Sequence, residues 1–587
     1  MTRAPKNPGR SEKVGNQDIA RAFDEIADLL ELESDNPFRI RAYRNAARTM
    51  RGAPEEAADM IARGGDPDDL PGIGKDLAAQ IAEMVSSGRL TRLDRLRPEV
   101  PALALALSHV PGIGPRHAMD LCEGLKPRPQ TLDDVLAAAL AGKVRALPGF
   151  GRLSEQKLAE RLQAEQKREK RFKWASVRPY AEALLKRLMA EPSVEAVAVA
   201  GSYRRRKETV GDLDLIAASE TPARVTKSLV AAPDVDRVLA EGPTKASVVL
   251  RGGVQVDLRA VPRESYGAAL LYFTGSKAHN IALRRMAQQR GLKINEYGVF
   301  RGEERVAGAD EASIYRLFGL DEIPPELRED SGEIDAAARG GLPRLVGLKD
   351  IRGDLHVHTN ASDGANTLQK MAQAARARGL DYIAVTDHSQ RMRIAHGLNR
   401  ERLLAQFEAI DRFNEENPDF TVLKGAEVDI LPDGTLDLED DLMRWLDVVV
   451  AAVHSDFGLP RDKQTERVLR ALDNRFVFIL AHPTGRLLLE RAPGDLDMAR
   501  VMRAARVRGC CLEINGQPER LDLNDAHCRM AKAEGVRLSI GSDAHRTSDF
   551  ANLDGAVAQA RRGWLEARDI VNTLPSGKLK ALIAASR

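Results

Sequence analysis

Gly201-Ser202-Tyr203-Arg204-Arg205-Arg206-Lys207-Glu208-Thr209-Val210-Gly211-Asp212-Leu213-Asp214 is the most specific string in this chain of 587 residues. It follows VEAVAV (194–199), an apolar run that reads as a strand ending in a Gly-Ser turn. Along a strand, residues i and i+2 point to the same face, so Asp212 and Asp214 converge. Asp257, in the alternating VQVDLRAV (254–261), supplies a third carboxylate from a neighbouring strand. Three carboxylates around two divalent cations, Mg²⁺ or Mn²⁺, are what in-line phosphoryl transfer needs: one cation activates the attacking 3′-oxygen, the other steadies the leaving pyrophosphate. Ser202 and Arg205 are placed to hold triphosphate oxygens. An Asp-x-Asp pair on a strand is commonly a surface pair; the Gly-Ser turn and the spaced third aspartate set this one apart.

Upstream, residues 1–16 read as a disordered polar tail with no apolar core, and residues 17–165 as short amphipathic helices. From Asp18 to Leu30, Ile19, Phe23, Ile26 and Leu30 recur at helical spacing, with Asp18 as N-cap. A Pro-Gly hairpin occurs three times, as LPGIG (70–74), VPGIG (110–114) and LPGFG (147–151). Such glycines allow a tight turn and let backbone N–H groups approach a phosphate at the next helix N-terminus. Gly72, Gly74 and Lys75 in the first hairpin, and Gly112 and Gly114 in the second, are therefore read as contacts to the DNA backbone, independent of base sequence. The basic run from Lys167 to Lys173 fits a solvated helix face as well as a DNA contact.

Downstream, 170–262 reads as a mixed α/β module, followed by a smaller α/β piece to about 320. The stretch 321–350, with Pro324-Pro325, charges and glycines, reads as a linker. Beyond it lie seven strand candidates: IRGDLHVHT, DYIAVTDH, FTVLKGAEV, DVVVAAVHS, FVFILAHP, CCLEING and VRLSIGSDAH. Helical stretches separate most of them, which predicts a parallel α/β barrel. Of 11 histidines, eight lie beyond residue 350, and six of those end strands: His356, His358, His388, His454, His482 and His545. Asp363, Glu427 and Asp543 accompany them. Strand C-termini form the active face of such barrels. Nine nitrogen and oxygen ligands exceed what one ion takes, so two or three ions of Zn²⁺, Mn²⁺ or Fe²⁺ are expected, clamping a phosphoester. His396 and His527 fall outside the pattern and are expected at the surface.

The formal net charge of +2 does not by itself announce nucleic acid, and the length is that of about four domains. Four cysteines, Cys122, Cys510, Cys511 and Cys528, match no zinc ribbon and fit a reducing compartment. No run is apolar enough to span a membrane, so a cytoplasmic location and no membrane partner are expected.

The string 201–215 resembles the palm signature of family X DNA polymerases, a branch of the nucleotidyltransferases. The resemblance extends over 17–320. DNPFRIRAYRNAARTM (35–50) is similar to the small 8-kDa-type domain; LLYFTGSKAHNIALRRMA (270–287) and LKINEYGVF (292–300) are similar to the thumb. It implies that Tyr272, Phe273 and Gly275 line the sugar side of the nucleotide pocket, that Ser202, Arg205 and Gly211 contact the triphosphate, and that Asn280 lies near the incoming base. Arg39 and Tyr43 would bind a 5′-phosphate. Arg206 stands where many relatives have glycine, which implies a phosphate loop of different shape. Lyase-active relatives place a Schiff-base lysine on the helix after the first hairpin; the matching residue in GIGKDLAAQI (72–81) is Gln80, which cannot form an imine.

The motifs HVH (356–358), TDHS (386–389), AHP (481–483) and SDAH (542–545) resemble the PHP (polymerase and histidinol phosphatase) family. That resemblance implies a distorted seven-stranded barrel with a three-ion site, all of whose ligand positions are filled here. The expected architecture is thus a helical domain with a helix-hairpin-helix (17–98), fingers with a second (99–169), a palm (170–262), a thumb (263–320), the linker and a PHP barrel (351–587). The expected function is filling of short gaps in gapped or nicked DNA from dNTPs, by a monomer, during base excision or end repair. The barrel would act as a 3′–5′ exonuclease or 3′-end phosphoesterase, with abasic-site cleavage as a further activity. Two alternatives stand beside this: a barrel acting on a small phosphoester, and a chain serving chiefly as a DNA-binding scaffold.

Overall fold

The computed structural model describes residues 15–587 apart from 34, 53–56, 71, 99, 109, 111–112 and 168–170. Two compact units divide at residue 169/170. Residues 1–14 of the expected tail lie outside the described residues; its last two do not fit that reading, since Asn16 opens the first helix, Asn16–Leu32, with Gly15 as its N-cap. Asp18 is not the cap. Its carboxylate reaches back to accept the Gly15 N–H at 3.0 Å, the return half of a capping box.

The first unit is helical. Its helices pack around one buried cluster that includes Phe23, Ile26, Leu30, Met50, Ile81, Leu107, Leu121, Val135 and Leu162. The helices Lys75–Ser87 and Pro115–Gly124 begin directly on Gly74 and Gly114. Gly72 and Gly149 both sit at positive φ, +76° and +81°, where glycine is the low-cost residue. The first and third hairpins thus share a turn conformation.

The second unit opens with a five-stranded sheet in the order Val194–Val199, Asp212–Ser219, Gln255–Val261, Lys245–Leu250, Val235–Glu241. Only the pair Asp212–Ser219 and Gln255–Val261 is parallel. A three-stranded antiparallel sheet, Lys293–Asn295, Gly298–Arg301 and Glu304–Ala307, follows helices Tyr266–Thr274 and Lys277–Gln289.

The stretch 321–350 is not a bare linker. Ile323, Leu327 and Ala337 join the buried cluster formed by Leu271, Leu283, Val299 and Phe318. Two of its charges find partners outside it: fully buried Arg328 meets Glu311 at 2.5 Å, and buried Glu333 meets His279 at 2.7 Å. Glu311 also takes two hydrogen bonds from Arg204, at 2.9 and 2.6 Å. Burial opposes ionisation of Glu311, but Arg204 and Arg328 outweigh it and hold the carboxyl down at about 2. Its contribution to stability is therefore complete above the unfolded value of about 4.3 and is lost as pH falls toward about 2. Glu311→Gln strands a buried guanidinium and should lower unfolding free energy at pH 7 by about 3–5 kcal/mol, read by denaturant titration of tryptophan fluorescence, with the gap to the parent chain closing in acid.

The seven expected barrel strands all form, as one parallel sheet in chain order: Gly353–Val357, Tyr382–Val385, Thr421–Asp429, Val448–Ala452, Val477–Leu480, Cys511–Asn515 and Leu538–Gly541. A parallel bridge from Val357 to Ala544 brings the two ends of the sheet together. The strands are buried on both faces, as parallel sheets require. Tyr382 and Ala384 point into one apolar cluster, Ile383 and Val385 into the other. No helix among the described residues is long and apolar enough to cross a membrane.

Candidate active sites

The parallel register sets Asp214 directly beside Asp257, and Asp212 beside Gln255. With neighbouring strands about 4.8 Å apart and side chains repeating every second residue, the three carboxylates share one face. The antiparallel strand beyond pairs Ser247 with Asp257, and the Ser247 hydroxyl donates to the Asp257 carboxylate, as does Gln255 Nε2 at 2.8 Å. Burial pushes the Asp214 carboxyl up to about 7; the Asp212 and Asp257 charges add to this, and Arg205 and Arg259 oppose it. Mutually repelling carboxylates in one partly desolvated cleft fit divalent cations, which remove that repulsion.

Gly201 has φ +62°, and a Cβ on it would lie 2.4 Å from Asp214 Oδ2. Only glycine lets the Gly-Ser turn pass so close to the carboxylate. Gly201→Ala should therefore slow nucleotidyl transfer by about 10²-fold through displacement of Asp214, measured as single-nucleotide incorporation, with hydrolysis in the barrel unaltered.

Helix Tyr266–Thr274 packs against strand Asp212–Ser219 and carries two of the residues expected around the nucleotide; Arg205 departs from expectation. Tyr272 and Phe273 stack edge to face at 5.1 Å at the end of helix Tyr266–Thr274, Gly275 leaves that helix at φ +67°, and Asn280 Nδ2 donates to the Tyr272 carbonyl at 2.7 Å. Gly211 directly precedes Asp212, and Ser202 lies in the short helix Gly201–Arg204. Arg205, expected on phosphate, is engaged by the protein itself: it pairs with Glu329 at 3.1 Å and donates to the Thr274 carbonyl. Its guanidinium is drawn there because Glu329 lies in the packed stretch 321–350, which was read as linker. Arg259 was missed; two residues beyond Asp257, it faces the same side and lies 4.9 Å over the Phe273 ring. The alternation VQVDLRAV already contained that signal.

In the barrel, eight of the nine expected ligands fall into three overlapping groups whose candidate ligand atoms lie within 4.8 Å of one another: His358, Asp363, His388 and His545; His356, His358 and Asp543; and His388, Glu427 and His454. The ninth, His482, places Nε2 3.0 Å from Glu427 Oε1. Glu427 is the hub, 2.9 Å from His388 and 3.2 Å from His454. Both ring nitrogens of His358, and Nδ1 of His482, are buried without a hydrogen bond. Such orphaned nitrogens are costly unless an electrophile meets them, so the residues present fit a cluster of divalent cations. His482 and Asp543 also hold left-handed backbone, φ +28° and +52°, of the kind that persists at functional sites.

The sixth strand supplies no ligand but supports two. Glu513 meets His356 Nδ1 at 2.7 Å and accepts the His482 backbone N–H at 2.8 Å. Asp429 similarly meets His454 Nδ1 at 3.1 Å. Burial would lower His454, but Glu427 and Asp429 prevail and raise it to about 9. Glu513 and Asp429 were missed because the pattern followed the histidines: Glu513 sits inside its strand, and Asp429 ends one that carries no histidine. His396 is exposed as expected. His527 is not a surface residue: it is half-buried, its Nδ1 enclosed without a hydrogen bond, and burial lowers its pKa.

Comparison with known proteins gives these sites a lineage. Residues 269–329 match the DNA polymerase beta thumb, 14–90 a helix-hairpin-helix domain, 104–164 a SAM-like helix-hairpin-helix tandem and 354–492 the PHP domain. The chain is 38% identical to the Bacillus subtilis DNA polymerase/3′-5′ exonuclease PolX over 560 residues, 95% of this chain and 97% of that one. The chain belongs to the family X DNA polymerases with a PHP domain. The barrel of this family X polymerase is also similar to stand-alone proteins. A probable phosphatase of Thermoanaerobacter sp. (strain X514) is 29% identical over 242 residues, 39% of this chain and 92% of that one; a probable phosphatase of Syntrophotalea carbinolica is 32% identical over 231, covering 37% and 90%.

The tandem match spans both the second and third hairpins of the family X chain. Gly74 and Gly114 face open space, with nothing within 4 Å of a Cβ placed on them, so a backbone partner has room to approach. Lys75 is the first residue of its helix. Gly112 lies outside the described residues. Arg39 is exposed and pairs with Asp35 at 2.7 Å, whereas Tyr43 is buried, its ring against Phe23 and its hydroxyl donating to Gln80 Oε1 at 3.1 Å. Gln80 thus serves to hold Tyr43 in place.

Proposed function

We propose that this chain fills short gaps in DNA by nucleotidyl transfer at Asp212, Asp214 and Asp257, and shortens or cleans DNA 3′ ends in its PHP barrel. The reading for transfer rests on the register that sets Asp214 against Asp257 beneath the Gly201-Ser202 turn. Asp212, Asp214 and Asp257 would hold two Mg²⁺ or Mn²⁺ ions, which when bound activate the primer 3′-oxygen and neutralise the leaving pyrophosphate. Ser202 and Gly211 orient the triphosphate, with Arg205 held beside them on Glu329 and the Thr274 carbonyl; Tyr272, Phe273 and Gly275 bound the sugar, and Asn280 lies toward the base. Residues 17–98 and 99–169, with Gly72, Gly74, Lys75, Gly112, Gly114 and Arg39, hold the DNA backbone and the 5′ end of the gap, while buried Tyr43 packs behind them rather than meeting the phosphate. The segments 170–262 and 263–320 carry the transfer site.

In the barrel, His356, His358, Asp363, His388, Glu427, His454, His482, Asp543 and His545 would hold up to three ions of Zn²⁺, Mn²⁺ or Fe²⁺, which supply Lewis acidity for phosphoester hydrolysis. Glu513 and Asp429 fix the tautomers of His356 and His454, so that each ring presents its other nitrogen inward. The name of the Bacillus relative supports a 3′–5′ exonuclease; the likeness of the barrel to probable phosphatases supports a second reading, a small phosphoester. Chelation tests the whole account. EDTA should stop both extension and shortening of a primer on gapped DNA. Mg²⁺ or Mn²⁺ should restore extension at once, with shortening following the metal that refills the barrel. Hydrolysis of a small aryl phosphate without any shortening of DNA favours the second reading.

A further inference from the structure

The loop 205–211 joins the Gly-Ser turn to the aspartate strand, and its side chains and backbone are gripped from the barrel side. Glu208 receives both terminal nitrogens of Arg486, at 2.6 and 3.1 Å. Arg206 donates to Asp554 at 3.0 Å, and its guanidinium lies 4.3 Å from the centre of the Trp174 ring. The carbonyl of Arg205 accepts from Arg562 at 2.8 Å, and Arg205 and Arg562 share Glu329 Oε1 at 3.1 and 3.2 Å. Arg562 and Arg486 are nearly buried, with 2% and 9% of their side chains exposed. A two-pronged arginine–carboxylate contact in such surroundings fixes orientation as well as distance.

Arg206 has φ +56°, in the left-handed region where glycine rests easily and other residues are held by their surroundings. The side chain carried on that left-handed backbone is the one that reaches Asp554. Movement of the loop would not stay local. The Lys207 N–H donates to the Ser202 carbonyl at 3.1 Å and the Arg206 N–H to the Tyr203 carbonyl at 3.0 Å, so the loop carries the Gly-Ser turn with it.

We propose that the barrel is a working part of the polymerase centre: Arg486 and Asp554 are positioning residues that clamp loop 205–211 through Glu208 and Arg206, and so set Ser202 and Asp212 for the incoming triphosphate. The proposal rests on the polymerase reading above. The test uses the full-length chain and single-nucleotide incorporation at a one-nucleotide gap. Arg486→Ala and Asp554→Ala should each raise KM for the incoming dNTP about tenfold or more, as small displacements of positioning groups do. The double variant Glu208→Ala with Arg486→Ala should be no worse than either alone, because both remove one contact. Arg206→Gly relaxes the backbone and should melt no lower than the parent, yet raise KM as Asp554→Ala does. Hydrolysis of 3′ ends should keep its rate in Asp554→Ala and Arg206→Gly. Unchanged KM in Arg486→Ala and Asp554→Ala, penalties that simply add in the double variant, or a lowered melting temperature with KM unmoved each overturn the clamp. A primer that the unaltered chain fails to extend overturns the polymerase reading itself, which is a different failure from unmoved KM values.

Discussion

Replacing Asp214 with asparagine should lower the rate of gap filling by roughly three orders of magnitude, equivalent to about 4 kcal/mol of transition-state stabilisation. The substitution keeps the shape of the side chain and removes its charge. Asp214 is half-buried, with Asp257 at the same level on the adjoining strand and the Gly201 turn against its Oδ2. On the proposed reading, its loss would leave Asp212 and Asp257 without the carboxylate that joins them into one metal clamp. Folding should survive, for the carboxyl removed is one that burial and two neighbouring charges push up to about 7. In the metal-free chain above that pH, the asparagine relieves a repulsion and stability should not fall. The measurement is pre-steady-state incorporation at a one-nucleotide gap, with thermal unfolding alongside. Asp257→Asn should behave similarly, with the added consequence that Ser247 loses the carboxylate to which it donates.

His358→Ala should reduce hydrolysis at DNA 3′ ends by at least about 100-fold while extension continues at the parent rate. His358 belongs to two of the three ligand groups, so its removal loosens two neighbouring ion positions together. Glu427→Gln should be as damaging, because that carboxylate faces His388, His454 and His482 at 2.9–3.2 Å. Glu513→Gln keeps every ligand and alters only the support behind His356 and the His482 backbone; a loss of about 10- to 100-fold in metal affinity or activity is expected. The ordering of these three variants separates direct ligation from orientation. Metal content measured on the purified variants checks it independently of activity.

Much of this was legible in the sequence because the decisive patterns are local. Two aspartates two residues apart share a strand face, and histidines at strand ends reach one barrel rim whichever helices intervene. What was not legible depends on contacts between distant segments. Asp257 was expected from a neighbouring strand, but its register level with Asp214 and its support by Ser247 from a third strand depend on a crossover that no spacing within either string reveals. Pro324-Pro325 and the charges around them read as linker, yet Arg328 and Glu333 find partners in Glu311 and His279, far enough away in the chain to hide the pairing. Glu513 looked like one more strand residue because which way Cys511–Asn515 faces is set by its neighbours. The Arg206 departure was visible in the sequence, but its ion pair with Asp554 joins residues that no local pattern connects.

The most direct test of two separate metal-dependent centres in one chain is a single assay on one gapped substrate, labelled at the primer 5′ end, comparing the parent chain with Asp214→Ala and His358→Ala in the presence of dNTPs and Mn²⁺. The account predicts that Asp214→Ala only shortens the primer, that His358→Ala only extends it, and that the parent does both. Extension that survives Asp214→Ala, or shortening that survives His358→Ala, would contradict it.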